Sequence, residues 1–134
     1  MNNILLKIYE MVVRSGVCPD TPLCAWSEII PFCHNKGYLY ALYEKDELAS
    51  VVCAYRIPKF SDDYIDRYPE KEEGNILYVP WTVSHSRSIT SLLFMFKKYM
   101  KSHDIREIAY YRRNSSTDLK RIKLNVTPQK SLAS

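Results

Sequence analysis

NILYVPWTVSHSRSITSLLFMF, Asn75 to Phe96, decides how the rest of the chain is read. Its first half is the most apolar strand-like run in the sequence, rich in Val, Ile, Tyr and Trp, as suits a strand covered on both faces. Pro80 lies inside that run and has no N–H to give to a ladder, so the strand must carry a bulge or lose a neighbour there. The second half turns at once into a helix, SITSLLFMFKKYMKSH. The turn between them, His85 to Ser91, holds the backbone N–H groups that a first helical turn leaves unpaired. Ser84, Ser86, Ser88 and Thr90 are all candidate N-caps for it.

Working outward, Asn3 to Arg14 places Ile4, Leu5, Ile8, Met11 and Val12 on one helical face, with Gly16 as the stop. LCAWSEIIPFCHNKG, Leu23 to Gly37, has helix-like spacing through Trp26, Ile29 and Ile30, and Pro31 is expected to end or bend it. From Gly37 the period changes to two. YLYALYEKDELASVVCAYRI alternates as two strands, and Glu44-Lys45-Asp46-Glu47 is their hairpin turn. Lys59 to Gly74 is polar, acidic and punctuated by Pro69 and Gly74, which reads as a loop with room for one helical turn. Downstream, REIAYYRR is a short strand, and NSSTDLKRIKL resembles a capped helix with Leu119 and Ile122 inward.

The order is α-α-β-β-β-α-β-α with no internal repeat, and at 134 residues and 46% hydrophobic the chain suits one core. The expectation is one α/β domain over residues 1–134. Its helices fall within 3–34, its sheet and the helix after Asn75–His85 within 37–124, and a loose tail within 125–134.

The net charge of +4 is unevenly spread. Residues 1–96 hold nine basic and twelve acidic side chains, whereas residues 97–134 hold ten and three. A basic end attracts phosphate of any kind, in a cofactor or in a nucleic acid, so its sign does not choose between them. The apolar run near the N-terminus is interrupted by Lys7 and Glu10 and is too short for a membrane span or a secretion signal, which leaves a cytoplasmic location as the expectation. Cys18, Cys24, Cys33 and His34 lie close together but lack the short Cys-x(2–4)-Cys spacing that brings two sulfurs to one zinc. All four cysteines, Cys53 included, read as reduced thiols, Cys18, Cys24 and Cys33 on buried helix faces, and no metal is expected.

Strand, turn, helix, strand and then an Asn-led helix together resemble the Gcn5-related N-acetyltransferase (GNAT) superfamily, from about Gly37 to Leu124. The residues that carry the resemblance are His85, Ser86, Arg87, Ser88, Ile89 and Thr90, then the apolar helix from Ser91, and Asn114 after the later short strand. The resemblance implies a mixed, mostly antiparallel sheet flanked by helices and shortened at the C-terminus, with acetyl-CoA or another acyl-CoA as cofactor. It implies a pyrophosphate seat on the helix N-terminus at His85, Arg87, Ser88, Ile89, Thr90 and Ser91, with Asn114 nearby. An exposed amide and a preorganised dipole favour an anion there, and Arg adds a planar donor.

The same resemblance implies that a break in the central strand opens a slot for the pantetheine arm, and Pro80 supplies the break. An N–H of Trp81, Thr82 or Val83 would then polarise the thioester carbonyl. Attack by an amine needs a base and an acid. Glu73 is the candidate base and Tyr111 or Tyr110 the candidate acid. The acceptor is an amine of a protein or a small molecule.

This sequence departs from the family pattern at two glycines, replaced by Ser88 and Thr90, and at the tyrosine usual after Asn114, where Ser-Thr-Asp-Leu-Lys-Arg stands. The family's last two strands also have no counterpart after Leu124. Two other readings therefore stay open. One is a catalytically silent GNAT-like structural or host-interaction protein of the kind phages encode, in a host cytoplasm or a virion, with a partner or second copy completing the sheet. The other is a nucleic-acid-binding module using the basic last third and its tyrosines.

Overall fold

The structure is a computed structural model that describes residues 2–61, 67–84, 104–111 and 119–123. The expected helix over residues 88–103 and the expected tail lie outside that set. Helix α1 spans Asn3–Ser15 and α2 spans Leu23–Lys36. Strands β1 (Leu39–Glu44), β2 (Glu47–Ile57), β3 (Ile76–Ser84), β4 (Glu107–Tyr111) and β5 (Leu119–Lys123) form one sheet in that spatial order. Three of the four pairings are antiparallel; β3 with β4 is parallel.

Each helix forms for a local reason. The Asn2 side chain accepts the Leu5 N–H at 2.9 Å, capping α1, and Gly16 ends it in the left-handed region at φ 70°. Leu5, Ile8, Met11 and Val12 are its buried residues, four of the five expected; Ile4 is 52% exposed. Helix α2 does not stop at Pro31. Trp26, Ile30 and Cys33 share a buried face on both sides of the proline. Burying each large side chain contributes about 1.5–3 kcal/mol, which offsets the cost of about 3 kcal/mol for an internal proline.

β1 and β2 form the expected hairpin, with Lys45 and Asp46 both at positive φ (50° and 66°), as a two-residue turn matched to strand twist requires. β2 is buried almost throughout because both of its faces are covered. One face carries Val51, Cys53, Tyr55 and Ile57 against α1 and α2; the other carries Val52 and Ala54 beside Leu77 and Ile105.

The segment read as a helix over NSSTDLKRIKL is, at Leu119–Lys123, a strand paired antiparallel with β4. Leu119 and Ile122 have helical spacing, but five residues cannot sustain a helix alone, and the outer edge of β4 offers backbone donors and acceptors that a strand satisfies. Residues 112–118 lie outside the described set. The cysteines are free thiols as expected, but the buried-helix placement of Cys18 and Cys24 needs correction. Only Cys33 is buried on a helix; Cys53 is buried on β2, Cys18 is half-buried and Cys24 is exposed, all as free thiols.

Candidate functional site

β3 is built around an extra residue. Cys53 pairs with Trp81 and Tyr55 with Tyr78, so Ala54 on β2 stands opposite both Val79 and Pro80. This is the bulge that Pro80 demanded. Its effect on side chains is direct, since one inserted residue resets the alternation. Ile76 and Tyr78 before it and Trp81 and Val83 after it all join the cluster under the helices. A regular strand would have sent one pair to the opposite face.

The parallel pairing with β4 runs from Ile76–Glu107 to Val79–Tyr110 and stops there. β3 continues to Ser84 while still paired with β2 through Ser50. Among the described residues, no strand pairs with the β4-facing edge of residues 80–84. Among the described residues the β3–β4 ladder therefore ends at the bulge, and β4 is described only one residue further, to Tyr111. That residue pairs with Leu119 of β5.

Trp81 and Val83 are 3% and 4% exposed, and their side chains belong to the core. Trp81 meets Trp26 edge to face, with ring centres 5.4 Å apart, and its Nε1–H donates to the Tyr68 hydroxyl at 3.0 Å. Ala54 and Arg56 turn their N–H groups away from β3, so by alternation Cys53 and Val51 bond to Trp81 and Val83, whose own N–H groups face β2, and the Thr82 N–H is the one on the β4-facing edge. Thr82 is half-buried and points to the other face.

Glu73 is not brought to the bulge. Its N–H donates to the Arg56 carbonyl at 3.4 Å, and the Glu72 carboxylate accepts the Arg56 N–H at 3.0 Å. β1 has ended by this level, the Tyr38 carbonyl taking the Ala54 N–H at 2.9 Å. Glu72 and Glu73 thus occupy the strand position beside β2 on its far side from β3, roughly 10 Å from β3 at about 4.8 Å per strand. His85, Arg87, Ser88, Ile89, Thr90, Ser91 and Asn114 lie outside the described residues. No group of three or more potential metal ligands occurs among those described.

Residues the sequence did not single out surround the bulge on its helical face. Tyr55 is the hub of an aromatic cluster, in ring contact with Tyr38, Tyr68 and Tyr78 at 5.3, 6.0 and 5.7 Å. The Tyr38 hydroxyl donates to the Pro69 carbonyl at 2.6 Å and so ties the acidic loop to the end of α2. Burial, with Glu72 adding repulsion, pushes the Tyr38 phenol up to about 12. Burial likewise drives Tyr55 and Tyr68 well above the ordinary phenol range. Eleven tyrosines in the sequence signalled an aromatic-rich body, yet nothing local marks which of them converge.

These shifts carry a sign. An acid whose folded value lies above its unfolded value of about 10 takes nothing from stability below that pH, and destabilises the fold as pH rises through and beyond it. The buried Cys18 and Cys53 thiols are raised in the same way, so urea unfolding should give level stability from pH 7 to roughly 8, a fall that begins with the thiols near 9 and a steeper one above about 10. A Tyr55→Phe variant should flatten that fall. An unchanged alkaline slope would show that Tyr55 ionises as freely folded as unfolded.

No protein-family profile matches the sequence, and no curated protein matches it. Solved structures do. A protein of Staphylococcus aureus Mu50, assigned provisionally as an acetyltransferase, superposes with a TM-score of 0.52 at 20% identity, covering 81% of this chain and 74% of that one. The GNAT-like decarboxylase GphF, solved with isobutyryl-CoA, superposes with a TM-score of 0.55 at 12% identity, covering 97% of this chain and 67% of that one. At such identities the likeness establishes the fold: a GNAT-like mixed sheet with helices against it.

Proposed function

We propose that this protein is an acyl-CoA-dependent N-acyltransferase that acts on an amine of a protein or small molecule. The observation that carries the reading is the bulge at Val79–Pro80, where the described β3–β4 ladder ends. Strands that separate leave one row of backbone donors and acceptors without a ladder, and an amide-bearing arm such as pantetheine can pair with it. The two structural neighbours support it, one being assigned as an acetyltransferase and the other holding an acyl-CoA.

On this reading the amides and side chains of His85, Arg87, Ser88, Ile89, Thr90 and Ser91 take the pyrophosphate, with Asn114 completing the cofactor site. Of the three candidate donors Trp81, Thr82 and Val83, the Thr82 N–H faces away from β2 and stabilises the oxyanion. Tyr111, just past the end of that ladder, protonates the leaving thiolate. Glu73 receives the acceptor's proton through water, because it stands one strand beyond β2. The amine nitrogen bonds to the acyl carbon as the carbon–sulfur bond breaks, giving an amide and the free thiol of CoA.

Titration calorimetry with acetyl-CoA and longer acyl-CoAs tests binding, and thiol release in the presence of amines tests transfer. The expected result is saturable binding that Arg87→Ala weakens by about tenfold or more, the scale of one charge-assisted hydrogen bond. No heat and no thermal shift at millimolar acyl-CoA would remove the proposal. Binding without thiol release would leave a cofactor-holding relative that is not a transferase.

A further inference from the structure

Two thiols meet inside the core and take no part in the proposed reaction. Cys33 on α2 and Cys53 on β2 are both fully buried, with their sulfurs 3.9 Å apart and the Cys53 thiol donating to the Cys33 sulfur. The backbone holds them there. The Cys33 carbonyl accepts the Tyr38 N–H at 2.8 Å, and the Tyr38 carbonyl accepts the N–H of Ala54, the neighbour of Cys53. One residue thus ties the last turn of α2 to the middle of β2. Two sulfurs are too few for a structural zinc, and among the described residues no group of three potential ligands forms. Their contact suits a different chemistry, because a disulfide needs the sulfurs only about 2 Å closer, within reach of a side-chain rotation and a small shift of the helix.

We infer that Cys33 and Cys53 are a redox pair that hydrogen peroxide converts to a reversible disulfide, locking α2 to β2 beside the bulge. The chemistry balances with peroxide alone. On one cysteine an S–O bond forms as the O–O bond breaks, giving a sulfenic acid and a water that carries off the thiol proton. The second sulfur attacks the first, the S–S bond forms, and the hydroxyl leaves with the second proton as another water. The two thiols are oxidised by two electrons in all, and peroxide is reduced.

Peroxide is scarcely larger than water and reaches the pair when α2 opens locally. Pro31 makes this the weak part of the helix: it has no N–H for the Ser27 carbonyl, so the turn leading to Cys33 lacks one of its bonds. Burial raises the Cys53 thiol, which keeps it protonated at neutral pH and the reaction slow there. Cys53 lies between Leu39 of β1 and Trp81 of β3, and its neighbour Ala54 is the residue opposite Val79 and Pro80. A bond from Cys33 therefore fastens α2 to the strand that faces the bulge.

Trypsin places Cys53 on one peptide, residues 46–56, and Cys18, Cys24 and Cys33 together on another, residues 15–36. The chain is treated with peroxide in native buffer, its remaining thiols are capped, and the digest is read by mass spectrometry without reduction. The two peptides should be joined, with a loss of about two mass units per chain that dithiothreitol reverses. Cys18→Ser combined with Cys24→Ser, at half-buried and exposed positions, leaves only the core pair and should keep the joined peptides. Oxidation should raise the melting temperature of that variant by about 5 °C or more, because the cross-link restricts the unfolded chain, and reduction should restore it. Adding Cys33→Ala should abolish both effects. The inference is overturned by joining that is lost in the double serine variant, by joining seen only in urea, by a joined chain that melts no higher, by sulfinic or sulfonic acid at Cys33 or Cys53 without joining, or by a pair that peroxide leaves reduced.

Discussion

Gly74→Ala destabilises the fold by about 3 kcal/mol or more, the largest effect expected of a methyl group added at any of the three glycines. Gly74 lies at φ 94°, a conformation costly for any residue with a Cβ. The added carbon would also overlap the Ile57 carbonyl and the Pro58 Cα, which are backbone atoms and cannot swing aside. The loop from Lys71 to Asn75 crosses the end of β2 at this point before β3 starts. Gly16→Ala is the internal control. It shares the left-handed backbone, at φ 70°, but its Cβ would meet nothing within 4 Å, so its cost should stay near 1–2 kcal/mol. Urea unfolding of both variants separates the terms. Equal losses would mean that the crossing loop yields and that only backbone strain matters.

Arg121→Met removes the partner of a buried carboxylate and should cost about 2–3 kcal/mol. Glu107 has only 8% of its side chain exposed, and it accepts hydrogen bonds from Arg121 Nε at 3.0 Å and from the same guanidinium's terminal nitrogen at 2.8 Å. The guanidinium also lies over the Phe60 ring, 4.4 Å from its centre. Half of the Arg121 side chain remains in water, which places the loss below the 3–5 kcal/mol typical of fully buried pairs. Methionine keeps apolar cover on Phe60, so the loss reports the stranded charge. Adding Glu107→Met should recover most of it. A double variant no more stable than Arg121→Met alone would show that Glu107 had found another partner, and that the pair does not hold β5 to β4.

What the sequence revealed and what it hid divide along a physical line. The hairpin at Lys45–Asp46, the first helix with its Asn2 and Gly16 ends, and the bulge at Pro80 all follow from rules acting over a few residues. Leu119 to Lys123 were misread because their spacing is compatible with a helix, while the deciding factor, an unsatisfied edge of β4, lies elsewhere in the chain. Pro31 failed to end its helix for a similar reason: Ile30 and Cys33 have burial sites that only the assembled sheet provides. At the site, the bulge in β3 could be expected from one proline. The pairing of Trp81 with Tyr68 could not, since 13 residues of loop and strand separate them. Nor could the placement of Glu73 beyond β2, which depends on where β1 stops.

The single parallel join, four residue pairs between β3 and β4, also sets an order of assembly. The β1–β2 turn closes over two residues, whereas β3 and β4 meet across about thirty positions of chain, a loop whose closure must be met before any of its contacts reward it. Loop-closure cost alone therefore makes the β4–β5 ribbon the piece expected to dock after the β1–β2–β3 meander, across a seam of only four residue pairs among the described residues.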